Sequence, residues 1–375
     1  MRSKDVEQKE VRGIIAGGGT GGHLFPGLAI AKEICRRCAK AEILFVTGRR
    51  KMELDILNRT GFLQSSIDVE GLKGRGWRKG LRTLIKLPLS FLQSFFIIRS
   101  FSPNMVIGVG GYSAGPVCMM ARLMGVPSAI HEQNSYPGLT NRLLCRVVNR
   151  VFISFEESRA HFPGGSLLLT GNPIREEFLT EKNIEAPDDK KFTILVLGGS
   201  QGARAINRAV IAALSVLKEK SRIPRIIHQT GEKDYNEVVE AYEKVGVIGE
   251  IQPFIENMVR AYSLSDLVIS RAGATTVSEL AALGKPSVLV PYPHAANQHQ
   301  ETNAQMLVRA GGAEMMRQDT LTGEILAEAL MRYMDDPAAL KAMGRMALKM
   351  GRGDAARVIV DQLMEMIEEG PRRRA

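Results

Sequence analysis

A glycine-rich turn followed by a histidine is the first stretch of the chain whose residues could do chemistry. In "GIIAGGGTGGHLF", apolar residues run into a glycine cluster, and a helical pattern follows. Gly17, Gly19 and Gly22 have the spacing that lets a backbone approach a phosphate at a helix N-terminus. His23 follows directly, and histidine titrates near neutral pH. The stretch predicts an anion-binding turn beside a group that can move a proton.

A dinucleotide site needs a second element, an acidic residue at the end of the next strand, where it binds ribose hydroxyls. Here the strand "EILFVT" runs into "GRRKME", with Arg49 and Arg50 at that position. Arginines suit the extra phosphate of NADP. The residues alone therefore leave an NADP-dependent oxidoreductase open.

The second half of the chain repeats this arrangement. "FTILVLGGSQGARAIN" has the pattern of strand, glycine loop and helix, and Ser200 in the loop can donate its hydroxyl to a phosphate. Further on, "SRAGATTVSELAALGKP" predicts a helix that starts with a capping box, Thr276 and Glu279, and ends at Gly284. A carboxylate at such a helix start can also bind ribose hydroxyls, although the spacing alone favours capping.

Strand-like runs alternate with helical patterns almost throughout, which predicts parallel sheets covered by helices on both faces. The runs are "GIIAG", "EILFVTG", "NMVIGVG", "PSAIHE" and "RVFIS", then "FTILVLG", "RIIHQTG", "GEIQPF", "DLVISRAG" and "SVLVPYP". We expect an α/β protein of two Rossmann-like domains, over 11–172 and 191–350, with a polar boundary stretch at 173–190. A last helix over 354–369 is expected to pack back on the first domain.

Composition narrows the class of protein. No secretory signal opens the 375 residues and no apolar run has the length of a membrane span, so we expect a cytoplasmic protein. The C-x-x-C of Cys35 and Cys38 lacks a second ligand pair for zinc, so we expect reduced thiols. The formal charge of +10 favours an anionic partner, either nucleic acid or a membrane surface. No nucleic-acid-binding motif is visible, and a basic RNA-binding protein is the non-enzymatic alternative.

One segment, "GLKGRGWRKGLRTLIKLPLSFLQSFFIIRSF", combines positive charge with aromatic residues around Trp77. Its basic residues are Lys73, Arg75, Arg78, Lys79, Arg82 and Lys86, and apolar residues at helical spacing are Leu81, Leu84, Ile85, Phe91, Leu92, Phe95 and Phe96. Lys86, Pro88 and Arg99 exclude a simple spanning helix. The pattern predicts a helix that is partly core and partly docked at a membrane interface.

A series of motifs in chain order resembles the MurG family of bacterial glycosyltransferases: "GGGTGGH", "GGYSAGP", "HEQN", "GNPIR", "GGSQGAR", "AGATTVSE" and "HQETNA". The resemblance runs from about Gly13 to the C-terminal helix. It implies the GT-B fold, in which two Rossmann-like domains face a cleft and the second holds most of the nucleotide sugar. It also implies inverting transfer of N-acetylglucosamine from UDP-GlcNAc to the C4 hydroxyl of undecaprenyl-diphospho-muramoyl-pentapeptide (lipid I), which gives lipid II for peptidoglycan. A sister transferase acting on another lipid, such as diacylglycerol, is the alternative that "HEQN" and "GGYSAGP" disfavour.

The resemblance also implies binding residues. It assigns contacts with UDP-GlcNAc to Thr20, Gly21, Gly22, Asn134, Arg175, Ser200, Ile255, Ala274, Thr275, Thr276, Val277, Ser278, Glu279 and Gln300. Ile255 would lie at the uracil, Glu279 at the ribose hydroxyls and Gln300 at the sugar. The first glycine loop would then line the cleft near the acceptor diphosphate rather than bind a dinucleotide.

Two residues compete for the role of base. His23 is slightly preferred over Glu132, because a carboxylate acts as a base near neutral pH only when burial raises its pKa. Tyr112 in "GGYSAGP" either places the acceptor or packs in a tight turn. Helix N-terminal amides, Ser200 and Arg175 can offset the diphosphate charge, so we expect no metal and no cofactor. The implied partners are the lipid acceptor, an anionic membrane surface and other cell-wall synthesis proteins, at the cytoplasmic face of the membrane and without nucleic acid.

Overall fold

The computed structural model describes residues 10–18, 21–49, 51–69, 77–180, 191–199 and 201–370. The chain folds into two units. The first unit runs to Arg175 and also takes in Gly353 onward, and the second is Glu176–Arg352. Residues 181–190 of the polar stretch where we expected the boundary lie outside the described part.

The elements follow one another as strands and helices in both units. In chain order they are β1 (Val11–Ala16), α1 (Gly21–Arg37), β2 (Ala41–Thr47), α2 (Lys51–Asn58), β3 (Leu63–Ser66), α3 (Trp77–Phe101), β4 (Met105–Gly108), α4 (Ala114–Leu123), β5 (Ser128–Glu132), α5 (Leu139–Leu144), β6 (Arg150–Ile153), β7 (Leu167–Leu169), α6 (Glu177–Thr180), β8 (Thr193–Leu197), α7 (Arg204–Glu219), β9 (Arg225–Gln229), α8 (Tyr235–Val245), β10 (Glu250–Gln252), α9 (Met258–Leu264), β11 (Leu267–Ser270), α10 (Ala274–Leu283), β12 (Ser287–Leu289), α11 (His299–Arg309), β13 (Glu314–Met315), α12 (Gly323–Asp335), α13 (Pro337–Met350) and α14 (Ala355–Glu369). Short 3-10 turns occupy Glu156–His161, Glu232–Asp234 and Ala296–Gln298.

The sheet of the first unit is parallel throughout its described strands, in the order β3-β2-β1-β4-β5-β6-β7. Neighbouring residues of β1 point to opposite faces of the sheet. Ile15 joins a core that includes residues of α1 and α14, whereas Ile14 joins a core built with α3, α4 and α5. Arg37 on α1 also pairs with Asp361 on α14 at 2.5 Å. Helices therefore bury both faces, which is what continuous apolar strands require.

The described strands of the second unit are also parallel, in the order β10-β9-β8-β11-β12-β13. Residues of α7 and α12 such as Ile206 and Leu330 pack with Val196 of β8 and Val288 of β12 in one core. Both units thus have the same parallel α/β organisation, and the predicted fold class is confirmed.

Every strand-like run of the sequence corresponds to a strand, but β3, β7 and β13 were not among the predicted runs. All three lie at the edge of their sheet, where a strand pairs on one side only. They are short, and β3 ("LQSS") has a single apolar residue, Leu63, which is exposed. An edge strand such as β3 carries little apolar patterning because one side meets water, whereas β7 ("LLL") is apolar but only three residues long.

Two further sequence expectations concern cysteines and membranes. Cys35, Cys38, Cys118 and Cys145 are free thiols, and Cys35 is the exposed one. Within the described ranges, no helix combines the length and apolar character needed to cross a membrane.

Candidate functional site

The candidate site of the first unit lies where β1, β4 and β5 end, because the carboxyl ends of parallel strands share one edge of the sheet. The two glycine loops at this edge pack on each other, with the Gly18 amide donating to the Gly110 carbonyl at 3.3 Å. Gly111 has a φ of +83°, and a Cβ there would collide with the Gly18 carbonyl oxygen. Glycine is therefore required at this contact. Thr20 lies outside the described residues.

His23 occupies the first turn of α1, which begins at Gly21 and includes Gly22. The ring is half-buried, and its Nδ1 lies 3.2 Å from Oε1 of Gln133, in the loop after β5. Gln133 is buried and also contacts His131. The fold thus brings a histidine from one glycine loop against the "HEQN" motif more than a hundred residues later.

Glu132 sits at the end of β5 with its side chain buried. Its Oε1 accepts from the backbone amide of Asn134 at 2.9 Å and from the Asn134 side chain at 3.2 Å. Its Oε2 accepts from the Gly138 amide at 3.0 Å and from Nδ2 of Asn141 at 2.9 Å. Four donors occupy the lone pairs of this carboxylate, so Glu132 organises the loop that carries Asn134. The geometry favours His23 over Glu132 as the group open to a substrate proton.

Two other sequence candidates flank this edge. Tyr112 follows the glycine pair and is 43% exposed, so its ring is not packed into the turn. The guanidinium carbon of Arg175 lies 5.5 Å from the centre of the Phe25 ring on α1. Arg175 therefore presents its charge beside the helix that carries His23.

The second unit has its candidate residues at the corresponding edge of its own sheet. Gly199, with a φ of +87°, accepts a hydrogen bond at its carbonyl from Gln229 at 2.9 Å. The oxygen of the same amide accepts from the backbone N–H of Ile255 at 2.9 Å. Gln229, which the sequence did not single out, thus ties the second glycine loop to the segment expected at the uracil. Ser200 lies outside the described residues.

The capping box expected at Thr276 and Glu279 is wrong. Helix α10 begins earlier, at Ala274, with Gly273 in the cap position and no side-chain cap. Glu279 therefore lies more than one turn inside the helix, where it is 7% exposed and its Oε2 accepts from the Tyr262 hydroxyl at 2.9 Å. The helix starts directly after Gly273, two residues before Thr276, so the Thr-x-x-Glu pattern lies inside it. The predicted end at Gly284 is confirmed by its φ of +61°.

Ala274, Thr275, Thr276, Val277 and Ser278 form the first turns of α10, whose N-terminal amides point along the helix axis. The segment follows β11 directly, at the same sheet edge as the Gly199 loop. Its position suits an anion, as a phosphate-binding helix start requires.

Gln300 lies in the first turn of α11, and its Oε1 accepts from the Tyr292 amide at 3.0 Å. The turn before it has two non-glycine residues with positive φ, Asn297 at 55° and Gln298 at 54°. Arg271 holds the loop after β12 in place. Its guanidinium donates to the backbone carbonyls of Val290 and Pro291 and lies 5.4 Å from the Tyr292 ring centre. The sequence did not point to Arg271, since its partners are about twenty residues away.

Comparison with known proteins agrees with this arrangement. The N-terminal domain model of glycosyltransferase family 28 matches residues 14–153, and the C-terminal domain model of the same family matches residues 193–359. A protein of Syntrophus aciditrophicus is 47% identical over 95% of this chain and 99% of its own length. One of Geobacter sulfurreducens is 45% identical over 94% of this chain and 97% of its own. Both are named UDP-N-acetylglucosamine–N-acetylmuramyl-(pentapeptide) pyrophosphoryl-undecaprenol N-acetylglucosamine transferase.

Among solved structures, MurG of Acinetobacter baumannii superposes with a TM-score of 0.75 at 30% identity. The match covers 94% of this chain and 99% of that one. Sequence and structure comparisons therefore point to the same group of enzymes. The chain belongs to glycosyltransferase family 28, with the MurG glycosyltransferases of GT-B fold.

Proposed function

We propose that this chain transfers N-acetylglucosamine from UDP-GlcNAc to the C4 hydroxyl of undecaprenyl-diphospho-muramoyl-pentapeptide, with inversion, to form lipid II in peptidoglycan synthesis. The observation that carries this proposal is the 47% identity, over nearly the full length of both chains, to a protein named for that reaction. Both halves of the molecule are matched, so donor and acceptor functions are proposed together.

The second unit would bind the donor. The α10 N-terminus faces the edge where the Gly199 loop and Ile255 are joined through Gln229. We assign the ribose hydroxyls to Glu279, whose carboxylate is held by Tyr262, and the sugar to Gln300. Ser200 would join the α10 amides in offsetting the charge of the departing diphosphate.

The first unit would bind the acceptor. The paired glycine loops and the α1 N-terminus suit its diphosphate, and exposed Tyr112 lies beside them. His23 would remove the proton from the attacking hydroxyl. Glu132 would hold Asn134 in place rather than act as the base, because its oxygens already accept four hydrogen bonds.

We also propose that α3 docks on an anionic membrane surface, so that the protein is peripheral at the cytoplasmic face of the cell membrane. In the middle of α3 the usual polarity is inverted, since Ser90 and Ser94 are buried while Leu92 and Phe96 are 52% and 60% exposed, whereas Ile98 and Phe101 at its C-terminal end are buried in the core. The serine hydroxyls donate to backbone carbonyls one turn earlier, which lets small side chains face the core. A water-exposed helix would show the opposite arrangement.

Two further helices on this face of the sheet also expose leucines. Leu123 ends α4, and Leu139 and Leu143 lie on α5, both packed on the same face of the sheet as α3. A lipid-anchored acceptor would reach the glycine loops from such a surface. The side chains of residues 77–86, including the predicted basic residues Arg78, Lys79, Arg82 and Lys86, lie outside the described part, as do Lys73 and Arg75.

The reaction is tested by transfer of labelled N-acetylglucosamine from UDP onto the undecaprenyl-linked muramoyl-pentapeptide in detergent, with and without a chelator. We expect transfer that survives chelation. If UDP stabilises the protein against heat but no transfer occurs, the acceptor assignment is wrong. If NADPH stabilises the protein and UDP does not, the donor assignment is wrong as well.

A further inference from the structure

Gln133 has no role in the proposed reaction so far, although it connects two histidines at the first site. Its buried side-chain amide contacts Nδ1 of His23 at 3.2 Å, Nδ1 of His131 at 3.1 Å and the carbonyl oxygen of Val109 at 2.8 Å. These three contacts determine which atom of each group carries a hydrogen.

The orientation of the Gln133 amide follows from Val109. A carbonyl oxygen can only accept, so the atom that faces it must be the amide nitrogen, which donates. The flipped amide would place two acceptors against each other. The amide oxygen is therefore the atom that faces His23.

The protonation of His131 agrees with this orientation. Its Nε2 lies 3.2 Å from the Gly171 carbonyl oxygen, so Nε2 carries the hydrogen. The Ser154 hydroxyl, 3.2 Å from the same nitrogen, donates to the Glu132 carbonyl at 2.8 Å and so can only accept from His131. Burial lowers the pKa of His131 to about 4, which keeps the ring neutral. Its Nδ1 is then an acceptor for the second N–H of Gln133.

The chain of donors and acceptors ends at His23. An amide oxygen can only accept, so the Nδ1 of His23 must hold the hydrogen. We infer that Gln133 is a positioning residue that fixes His23 in the tautomer protonated on Nδ1, which leaves Nε2 to accept the substrate proton. The catalytic meaning rests on the proposed function, whereas the tautomer is a property of the resting protein.

In the proposed reaction, the acceptor O4 forms a bond to C1 of the donor sugar. The bond from C1 to the β-phosphate oxygen breaks, its electron pair leaves with UDP, and the O4 proton passes to Nε2 of His23. The resulting imidazolium still donates from Nδ1 to the Gln133 oxygen. The same contact therefore serves both protonation states, as an orienting group behind a histidine base must.

The wild-type protein provides the first test. With ¹⁵N-labelled histidine, NMR distinguishes a protonated ring nitrogen from a bare one, and the His23 signals are assigned by their loss in His23→Gln. We expect neutral His23 to show a protonated Nδ1 and a bare Nε2. A spectrum with Nε2 protonated overturns the inference. This measurement does not depend on transfer activity.

The second test replaces Gln133 with methionine, which has similar length but makes no such hydrogen bonds. In Gln133→Met we expect both tautomers of His23 and a fall in kcat on the order of 10- to 100-fold, with the KM for UDP-GlcNAc unchanged. Ser154→Ala is the matched control, because it removes a hydroxyl from the same buried cluster but no contact of Gln133. It should leave the His23 tautomer as in the wild type.

The outcomes separate the two proposals. Wild-type kcat and an unchanged tautomer in Gln133→Met overturn the positioning role. Absence of transfer by the wild type overturns the proposed function and leaves the tautomer result intact. If Gln133→Met does not fold, the wild-type spectrum decides.

Discussion

At the scale of the residue, Glu279 combines burial with a polar partner close to a helix start. The Tyr262 hydroxyl donates to one carboxylate oxygen at 2.9 Å, and the Tyr262 ring packs edge-on against Phe178 at 5.5 Å. This contact fixes the rotation of the carboxylate at the second turn of α10. A carboxylate held in this way can accept from two adjacent ribose hydroxyls without first losing side-chain freedom.

Replacing Glu279 with glutamine should weaken UDP binding by about 10- to 100-fold, because hydrogen bonds to a charged group are lost. Calorimetry with UDP and 2′-deoxy-UDP locates the effect. The wild type should prefer UDP, whereas Glu279→Gln should bind both nearly alike. Tyr262→Phe, which keeps the ring, is the control and should reduce affinity less. If Glu279→Gln still prefers UDP over 2′-deoxy-UDP, Glu279 does not bind the ribose hydroxyls.

Gly199 and Gly202 form a matched pair in the second glycine loop. Both have positive φ, at 87° and 75°. Among the described residues, a Cβ on Gly199 meets nothing within 4 Å, whereas one on Gly202 would collide with the Thr230 carbonyl oxygen. Each alanine substitution should cost about 1–2 kcal/mol of folding free energy for the left-handed backbone. Gly202→Ala should cost roughly 2 kcal/mol more, from the collision. Equal losses in urea unfolding would mean that the loop is packed differently.

Sequence motifs pointed to candidate residues such as His23 and Glu279, but not to the side chains that contact them. Tyr262 lies outside every motif, and Gln133, although it stands in "HEQN", acquires its meaning only from contacts across the fold. Nothing in local spacing links His23 to a glutamine 110 positions away. Side-chain partners set by tertiary packing leave no local pattern to find.

At the scale of the element, the described part of α3 departs from the usual amphipathic pattern. It buries serines and exposes large apolar side chains, and Pro88 lies within it. The sequence predicted an amphipathic helix here, but periodicity alone did not determine which face meets the core. Here the small serines face the core and Leu92 and Phe96 face outward, whereas Phe101 at the end of α3 is buried.

Substituting Leu92 and Phe96 together with serine should reduce binding to phosphatidylglycerol vesicles by at least about 10-fold, because less apolar surface enters the lipid. The melting temperature should not fall, since both side chains are exposed. Ile248→Ser is the control, because Ile248 is 95% exposed in the second unit and should not matter for vesicle binding. Unchanged co-sedimentation of the double variant would place the membrane surface elsewhere.

Element boundaries show where sequence patterns compete. Gly273, rather than the Thr-x-x-Glu pattern, marks the start of α10, because the helix already begins at Ala274. Strands β3, β7 and β13 were not predicted because β3 has a single apolar residue, and β7 and β13 are only three and two residues long. Central strands, whose residues face two cores, were all visible from their continuous apolar runs.

At the scale of the whole molecule, each unit contains a buried neutral histidine. Burial lowers the pKa of His131 to about 4 and that of His228 to about 3. Both ring nitrogens of His228 have hydrogen-bond partners: Nδ1 lies 2.9 Å from the Tyr242 hydroxyl, and Nε2 lies 3.0 Å from Oδ1 of Asn207. Both units therefore share a sensitivity to acid that does not depend on the proposed catalytic residues.

The native protein should lose stability as pH falls from about 6.5 toward 4, because the unfolded chain binds protons that the buried rings cannot. The stabilisation that comes from keeping these rings neutral is fully present above about pH 6.5. For His131 it adds roughly 3 kcal/mol to the free energy of unfolding. Melting temperatures across this range measure it. His228→Gln should flatten the pH dependence, and His294→Asn, which replaces an exposed ring, should not. A wild-type melting temperature independent of pH would contradict the burial of neutral histidines.

The central claim is the identity of the acceptor, and one comparison of rates tests it most directly. Purified protein is given labelled UDP-GlcNAc with either the undecaprenyl-linked muramoyl-pentapeptide or diacylglycerol in the same detergent, and the initial rate of lipid labelling is measured. We expect transfer to the muramoyl acceptor alone, and its loss in His23→Ala with UDP binding retained. Faster labelling of diacylglycerol would contradict the proposed function and assign the chain to a different lipid glycosylation.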